Sequence, residues 1–330
     1  MPIVRTTRVS GVSFLVVSGV LWGTGGLLGR MLADTAGLSS FAVATYRLGV
    51  GGLLIVGYLR VTGRPLPRRR AAWRRIAVTG ALVAVFQAAY FTAVTLTSVS
   101  LATLVTIGSS PVLVLLARRR SAGRRQVAGV VLAMLGLAML VGLPAGHGTT
   151  TAGHVLIAAA FAVLAAAGFS VMTLIAERPV PDLDDAATAG LAFTVGGALL
   201  VPVTLATSGL SFVPDARSVG LLVALCIVPT AVAYTCYFRG LRTAPAALGA
   251  LMALLEPLTA AVLAAVLLGE RLGGAGIAGA LLLGAAVVLA GAGNGTERSR
   301  SPAARERCGV ASSRRVDVAQ RDGQRELAPL

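Results

Sequence analysis

The chain has 330 residues, of which 56% are hydrophobic and only 13% charged, and its formal charge is +16. That balance excludes a soluble core wrapped in a charged shell and points to a membrane protein with many spans. All 29 basic residues are arginine, and twelve of them sit in two short stretches free of acidic residues, seven between Arg60 and Arg75 and five between Arg118 and Arg125. Arginine placed in that way, between apolar runs, is an orientation signal that also favours anionic lipid; it is not a nucleic-acid footprint. Cys226 and Cys236 are ten positions apart on one expected helix and Cys308 stands alone, so no disulfide framework is read, and His147 and His154 lack companions for a metal site.

In chain order, Arg5 and Arg8 precede a first apolar span, about Val9 to Leu28, read as an uncleaved helix. Spans follow at about Ser39 to Leu59, Ile76 to Leu96, Val99 to Ala117 and Val127 to Leu143. After the connector PAGHGTTTAGH come Val155 to Ala176, Ala186 to Ala206, Ser218 to Phe238, Ala246 to Leu268 and Gly274 to Ala292. The expectation is therefore an all-α membrane protein of ten transmembrane helices. Its parts are a cytoplasmic N-terminus (1–10), a first five-helix unit (11–143), an extracytoplasmic connector (144–153), a second five-helix unit (154–292) and a disordered, basic cytoplasmic tail (293–330).

The two units read as copies. YFTAVTLTSVSLATLVTIGSSP, ending at Pro111, parallels YFRGLRTAPAALGALMALLEP, ending at Pro257, and RRQVAGVVLAMLG parallels GAGIAGALLLG. An odd number of spans per copy forces opposite orientations, the inverted-repeat plan of many secondary transporters. With both termini in the cytoplasm, 25 of the 29 arginines fall inside.

Several motifs lie within these copies: Trp22-Gly23, Tyr46-Arg47, Ser110-Pro111, and Glu256-Pro257 followed by LLGERL. On these residues the chain resembles the EamA-type family of the drug/metabolite transporter superfamily, over about Gly11 to Ala292. The resemblance implies a ten-helix inner-membrane carrier, commonly an exporter of amino acids or other small metabolites. One departure is that Arg118 to Arg120 stand where the first copy would carry the Gly-Glu-Arg ending.

Candidate functional residues gather around Glu256. Counting from Ala244, it lies roughly 18 Å into a hydrocarbon layer of about 30 Å, where an ionisable group costs at least about 2.5 kcal/mol. Pro257 cannot donate to the carbonyl of Ala253, so the carboxyl either satisfies freed backbone or contacts a substrate amine or carries a coupling proton. Ser110 is its neutral positional twin, and Ser110-Pro111 is read, like Glu256-Pro257, as a helix break in the corresponding position of the first copy. Arg47 is either a snorkelling arginine or an internal partner for Glu256 or a substrate carboxylate. Trp22, Tyr90, Tyr234 and Tyr237 suit a cavity wall or an interfacial belt. Gly19 with Gly23, and Gly25 with Gly29, are spaced for close helix approach.

A secondary transporter fits this set best: a small-molecule carrier of the plasma membrane, working by alternating access, as a proton-coupled exporter, with an uptake permease as the alternative. A membrane-embedded enzyme would need a catalytic set, and the spans offer no His and no second carboxylate beside Glu256; a channel would need charge rings or a carbonyl filter. No nucleotide-binding P-loop is present, and no cofactor is expected. The expected partners are the solute, anionic lipid near the two arginine stretches, and a second copy of the chain as a homodimer.

Overall fold

The computed structural model describes residues 11–119, 123–141, 152–212, 214–267, 269 and 273–290. The expected N-terminal segment, nearly all of the connector and the C-terminal tail lie outside them. Nine helices among the described residues are long and apolar enough to cross a membrane: α1 (Gly11–Ala36), α2 (Ser40–Val61), α3 (Arg70–Leu96), α4 (Val99–Ala117), α5 (Arg124–Val141), α6 (Ala152–Ala176), α7 (Asp185–Thr207), α8 (Ala216–Leu241) and α9 (Ala246–Leu267). A shorter apolar helix, α10 (Gly274–Ala290), follows. The termini of α2 and α4 are set by Ser39 and Ser98, whose hydroxyls accept from Ala42 N–H (3.1 Å) and Leu101 N–H (3.2 Å). Each such cap is worth about 1 kcal/mol. Asp184 and Asp215 cap α7 and α8 in the same way, accepting from Ala187 N–H (2.5 Å) and Ser218 N–H (2.6 Å).

Two helices begin or end away from their expected positions. The first continues to Ala36, eight residues past Leu28, and at 26 residues is about 39 Å long, more than a perpendicular span requires. The third starts at Arg70 rather than Ile76, which brings Arg70, Arg74 and Arg75 onto the helix itself. Hydropathy marks where apolar character starts, whereas the backbone ladder runs on into the polar headgroup layer.

The side-chain distribution is that of a protein solvated by lipid. Large apolar residues such as Leu53, Leu156, Leu205, Leu281 and Val288 lie exposed on the perimeter, while Thr45, Gln87, Thr106, Thr173, Thr204 and Thr230 are buried. Together with ten apolar helices, this makes the chain a multi-pass membrane protein.

The main contacts join the first five helices to the last five: α1 packs on α8 and α9, α6 on α3 and α4, α2 on α7 and α8, and α3 on α7. The α5 and α10 backbones meet where a methyl at Gly136 would lie 2.7 Å from Leu283 N. Along the α2–α7 seam a methyl at Gly52 would lie 2.8 Å from the Gly190 carbonyl, and one at Gly197 would lie 2.5 Å from Gly49 N. Hydroxyl pairs Thr45–Thr204 (2.7 Å) and Ser39–Ser208 (2.6 Å) bridge the same seam. One end of the bundle is laced by Arg64–Asp184 (3.6 Å), Arg242–Asp185 and Arg118–Glu177 pairs.

Candidate functional site

The site is built on the interruption of α9. Its helical ladder stops at Met252 and resumes at Leu255, with Ala253 and Leu254 in a turn between them. Pro257 carries no N–H for the Ala253 carbonyl, as expected, but that oxygen accepts instead from the backbone N–H of Glu256 at 3.0 Å. Leu254 N–H likewise turns to the Leu251 carbonyl at 3.1 Å. Two i to i+3 bonds thus stitch the break with main chain alone, and the Glu256 carboxylate is not engaged in them.

Helix α1 crosses this break at backbone distance. A methyl at Gly19 would lie 2.9 Å from Leu255 Cβ and in collision with the Met252 carbonyl, and one at Gly23 would lie 2.9 Å from the Glu256 carbonyl oxygen. The expected pairing of Gly19 with Gly23 is therefore the α1–α9 contact. Gly25 and Gly29 are looser: methyls there would come no nearer than 3.3 Å to Pro229 and 3.8 Å to Val43. The crossing also fixes Trp22, which lies in sequence between the two close-approach glycines.

Arg47 reaches the same region from α2. It is near enough to Glu256, Tyr90, Tyr234 and Cys226 for its charge to reach each of them, and its backbone carbonyl lies 3.8 Å from the Cys226 thiol. A methyl at Gly25 would stand 3.9 Å from Arg47 Nη1, and Arg47 Nε is buried without a hydrogen-bond partner. The guanidinium therefore points into the protein and does not snorkel to the interface. Arg47 and Glu256 nevertheless form no direct ion pair, and the carboxylate has no hydrogen-bond partner among the described residues. Glu256 and Arg47 both keep some accessible surface in the middle of the bundle.

Opposite Arg47, α8 opens into a π turn over Ile227–Val232. Pro229 lacks the N–H that a regular helix needs there, and Thr230 sends its hydroxyl to the Leu225 carbonyl at 2.8 Å. Past this turn come Tyr234 and Tyr237, whose rings lie 4.8 Å from Trp22. Phe169 joins them at 5.9 Å, and Phe86 continues the row from Phe169 (5.8 Å) to Tyr90 (6.3 Å). One row of rings thus runs from α8 through α1 and α6 to α3.

Within that row the tyrosines differ. Tyr237 is fully buried and its hydroxyl pairs with Thr173 at 2.8 Å, so it is part of the packed core. Tyr90 keeps some accessible surface and pairs with Thr103 at 2.8 Å. Trp22 Nε1, Ser18 Oγ and Gln87 Nε2 are buried with no hydrogen-bond partner. Buried polar atoms usually find partners, so these orphans on α1 and α3, with Arg47 Nε on α2, are donors and acceptors that a polar ligand could satisfy.

Of the expected residues, the fold gathers Glu256, Arg47, Trp22, Tyr90 and Tyr234, with Tyr237 behind them. Ser110 and Pro111 behave otherwise. α4 runs unbroken through Pro111, and both residues are buried. Ser110 folds its hydroxyl back onto the Thr106 carbonyl (2.9 Å), while its own carbonyl accepts from Ser170 (3.2 Å). The Ser170 hydroxyl ties α6 to α4 at this point, and α4 keeps a continuous ladder through its proline where α9 does not. Sequence reading missed Gln87, Ser18, Phe169 and Pro229. A lone amide and a mid-span proline could have flagged Gln87 and Pro229; nothing local marks Phe169. Among the described residues no group of His, Cys, Asp and Glu could hold a metal.

Comparison with known proteins places these features in context. The model of the EamA-like transporter family matches the chain twice, over residues 9–142 and 156–292. The uncharacterized transporter YwfM of Bacillus subtilis (strain 168) is 26% identical over 264 residues, 78% of this chain and 86% of that protein. The uncharacterized inner membrane transporter YicL of Salmonella typhimurium (strain LT2) is 24% identical over 289 residues, 84% of this chain and 94% of that protein. A solved crystal structure superposes with a TM-score of 0.72 at 19% identity, covering 85% of this chain and 97% of the other, a likeness of fold.

Proposed function

Since the chain belongs to the EamA-like transporter family, we propose that it is a secondary transporter moving a small metabolite through the centre bounded by Arg47 and Glu256. The observation that carries this is the pairing left unmade: the Arg47 charge reaches Glu256 across one buried region, yet the two form no ion pair, and Arg47 Nε and Trp22 Nε1 are left without partners. An unsatisfied charged pair is costly unless something else completes it, and a solute with an anionic and a cationic group does so. An amino acid or amine of modest size, with an apolar part on Trp22 and Tyr234, matches that chemistry.

Alternating access by two inverted five-helix copies supplies the motion. The family match to two stretches supports it, and so do the helix pairings: exchanging each helix for the one five places on converts α1 on α9 into α6 on α4, and α1 on α8 into α6 on α3. Both termini face the cytoplasm in this reading, because 25 of 29 arginines are then inside. Export follows from family resemblance, and proton coupling from a titratable carboxyl that spends no bond on the backbone.

The test is a comparison of metabolites inside and outside cells overproducing the chain or lacking it. A metabolite depleted inside and enriched outside on overproduction identifies an exported substrate. The opposite pattern would make the protein an uptake permease, and no difference across small metabolites would count against a carrier.

A further inference from the structure

A second site lies away from this centre, where α3 begins and α4 and α6 end. A cleft of about 820 Å³ there is lined by Arg70, Arg74, Arg75, Arg118 and Arg178. Two of the five are engaged: Arg75 Nη1 donates to the Ile175 carbonyl, and Arg118 donates to Glu177. Glu177 is itself shared, since its other oxygen accepts from Ala246 N–H at the start of α9. Arg70, Arg74 and Arg178 have neither hydrogen bond nor ion pair through their guanidinium groups among the described residues. The like charge of Arg178 acts on Arg75.

Like charges held around one cavity repel, and an anion bound between the three unpaired guanidiniums would relieve that repulsion. Guanidinium groups present planar pairs of donors that match the oxygens of a phosphoryl group. The walls distinguish a lipid from a soluble phosphate. Val78, Ala117 and Leu174 line the same cleft just inside the helix ends, at the depth where headgroup gives way to hydrocarbon. A ligand with phosphate above and hydrocarbon below meets both surfaces.

We propose that the cleft between the start of α3 and the ends of α4 and α6 is a binding site for an acidic phospholipid, its phosphodiester held by Arg70, Arg74 and Arg178 and its first acyl carbons against Val78, Ala117 and Leu174. The site is separate from the solute centre, and its test does not depend on a transported substrate.

Purified protein is to be exchanged into detergent with phosphatidylglycerol or phosphatidylcholine, and retained lipid counted by native mass spectrometry, with glycerol phosphate as a soluble competitor. Wild type is expected to retain phosphatidylglycerol at least about tenfold better than phosphatidylcholine. Each arginine near an anionic headgroup contributes about a fivefold factor, so the triple variant Arg70→Ala, Arg74→Ala, Arg178→Ala should lose on the order of a hundredfold in affinity. A matched triple outside the cleft, Arg68→Ala, Arg69→Ala, Arg119→Ala, should keep the wild-type preference. Should the cleft triple fail to fold, Arg178→Gln alone serves, with about a fivefold loss. Equal loss in the two triples, retention in the cleft variant, or displacement of the lipid by equimolar glycerol phosphate would each overturn the proposal.

Discussion

Glu256 donates its backbone N–H to the carbonyl of Ala253 at 3.0 Å, so the oxygen deprived of a donor by Pro257 is satisfied by main chain. The side chain is left free for other chemistry. Glu256→Gln keeps its size and hydrogen-bonding capacity but cannot titrate. Folded yield and thermal midpoint should match wild type, while flux in reconstituted vesicles should fall at least about tenfold or lose its response to a pH gradient. Wild-type flux and pH response in that variant would remove Glu256 from the mechanism.

The crossing of α1 over the break gives a stability prediction. Gly19→Val and Gly23→Val each push a side chain into the α9 backbone and should cost about 1 to 3 kcal/mol or more. Gly26 lies on the same helix with nothing within 4 Å of an added methyl, so Gly26→Val should show no collision cost, only the small gain in helix propensity over glycine. Unfolding curves in detergent distinguish the two; equal effects at all three positions would mean that only helix propensity is being measured.

Trp22 offers a finer probe. Its indole N–H has no partner although the ring is packed against Tyr234 and Tyr237. Trp22→Phe removes the donor and keeps an aromatic ring, so fold stability should be little changed while the apparent affinity for the solute weakens about tenfold. If affinity is unchanged, the N–H faces no ligand.

A pH effect is expected at the start of α8. Hydrogen bonds from the Ser218 side chain and backbone N–H hold the Asp215 carboxyl below its ordinary value of 3.8. A depressed carboxyl pKa adds stability that is fully present above the unfolded value and is lost as pH falls through the folded one. Asp215→Asn keeps an accepting oxygen without the titration. Wild type should therefore melt above the variant at neutral pH, and the gap should close below about pH 3.8. A gap constant from neutral to strongly acidic pH would show that the cap does not act through its charge.

Much of this architecture was legible because a bilayer imposes length and polarity on every span. Glu256 stood out by its depth, Arg47 by its charge, and Gly19 with Gly23 by their spacing. The limits were equally physical. Pro111 and Pro257 look alike in the sequence, but one lies in a continuous helix and the other at a break, and the contacts that differ, such as Ser170 on the Ser110 carbonyl, come from sixty residues away. The π turn at Pro229 and the placing of Phe169 between Trp22 and Phe86 depend on contacts between distant helices, which a periodicity does not carry.

The α2–α7 seam has a mechanical consequence. With Gly52 against Gly190, Gly197 against Gly49, and hydroxyl pairs at Thr45–Thr204 and Ser39–Ser208, the seam has no room for side chains to slide or interleave differently. The two helices are coupled as one stiff beam, and sliding one along the other would require both hydroxyl pairs to break and the glycine backbones to separate.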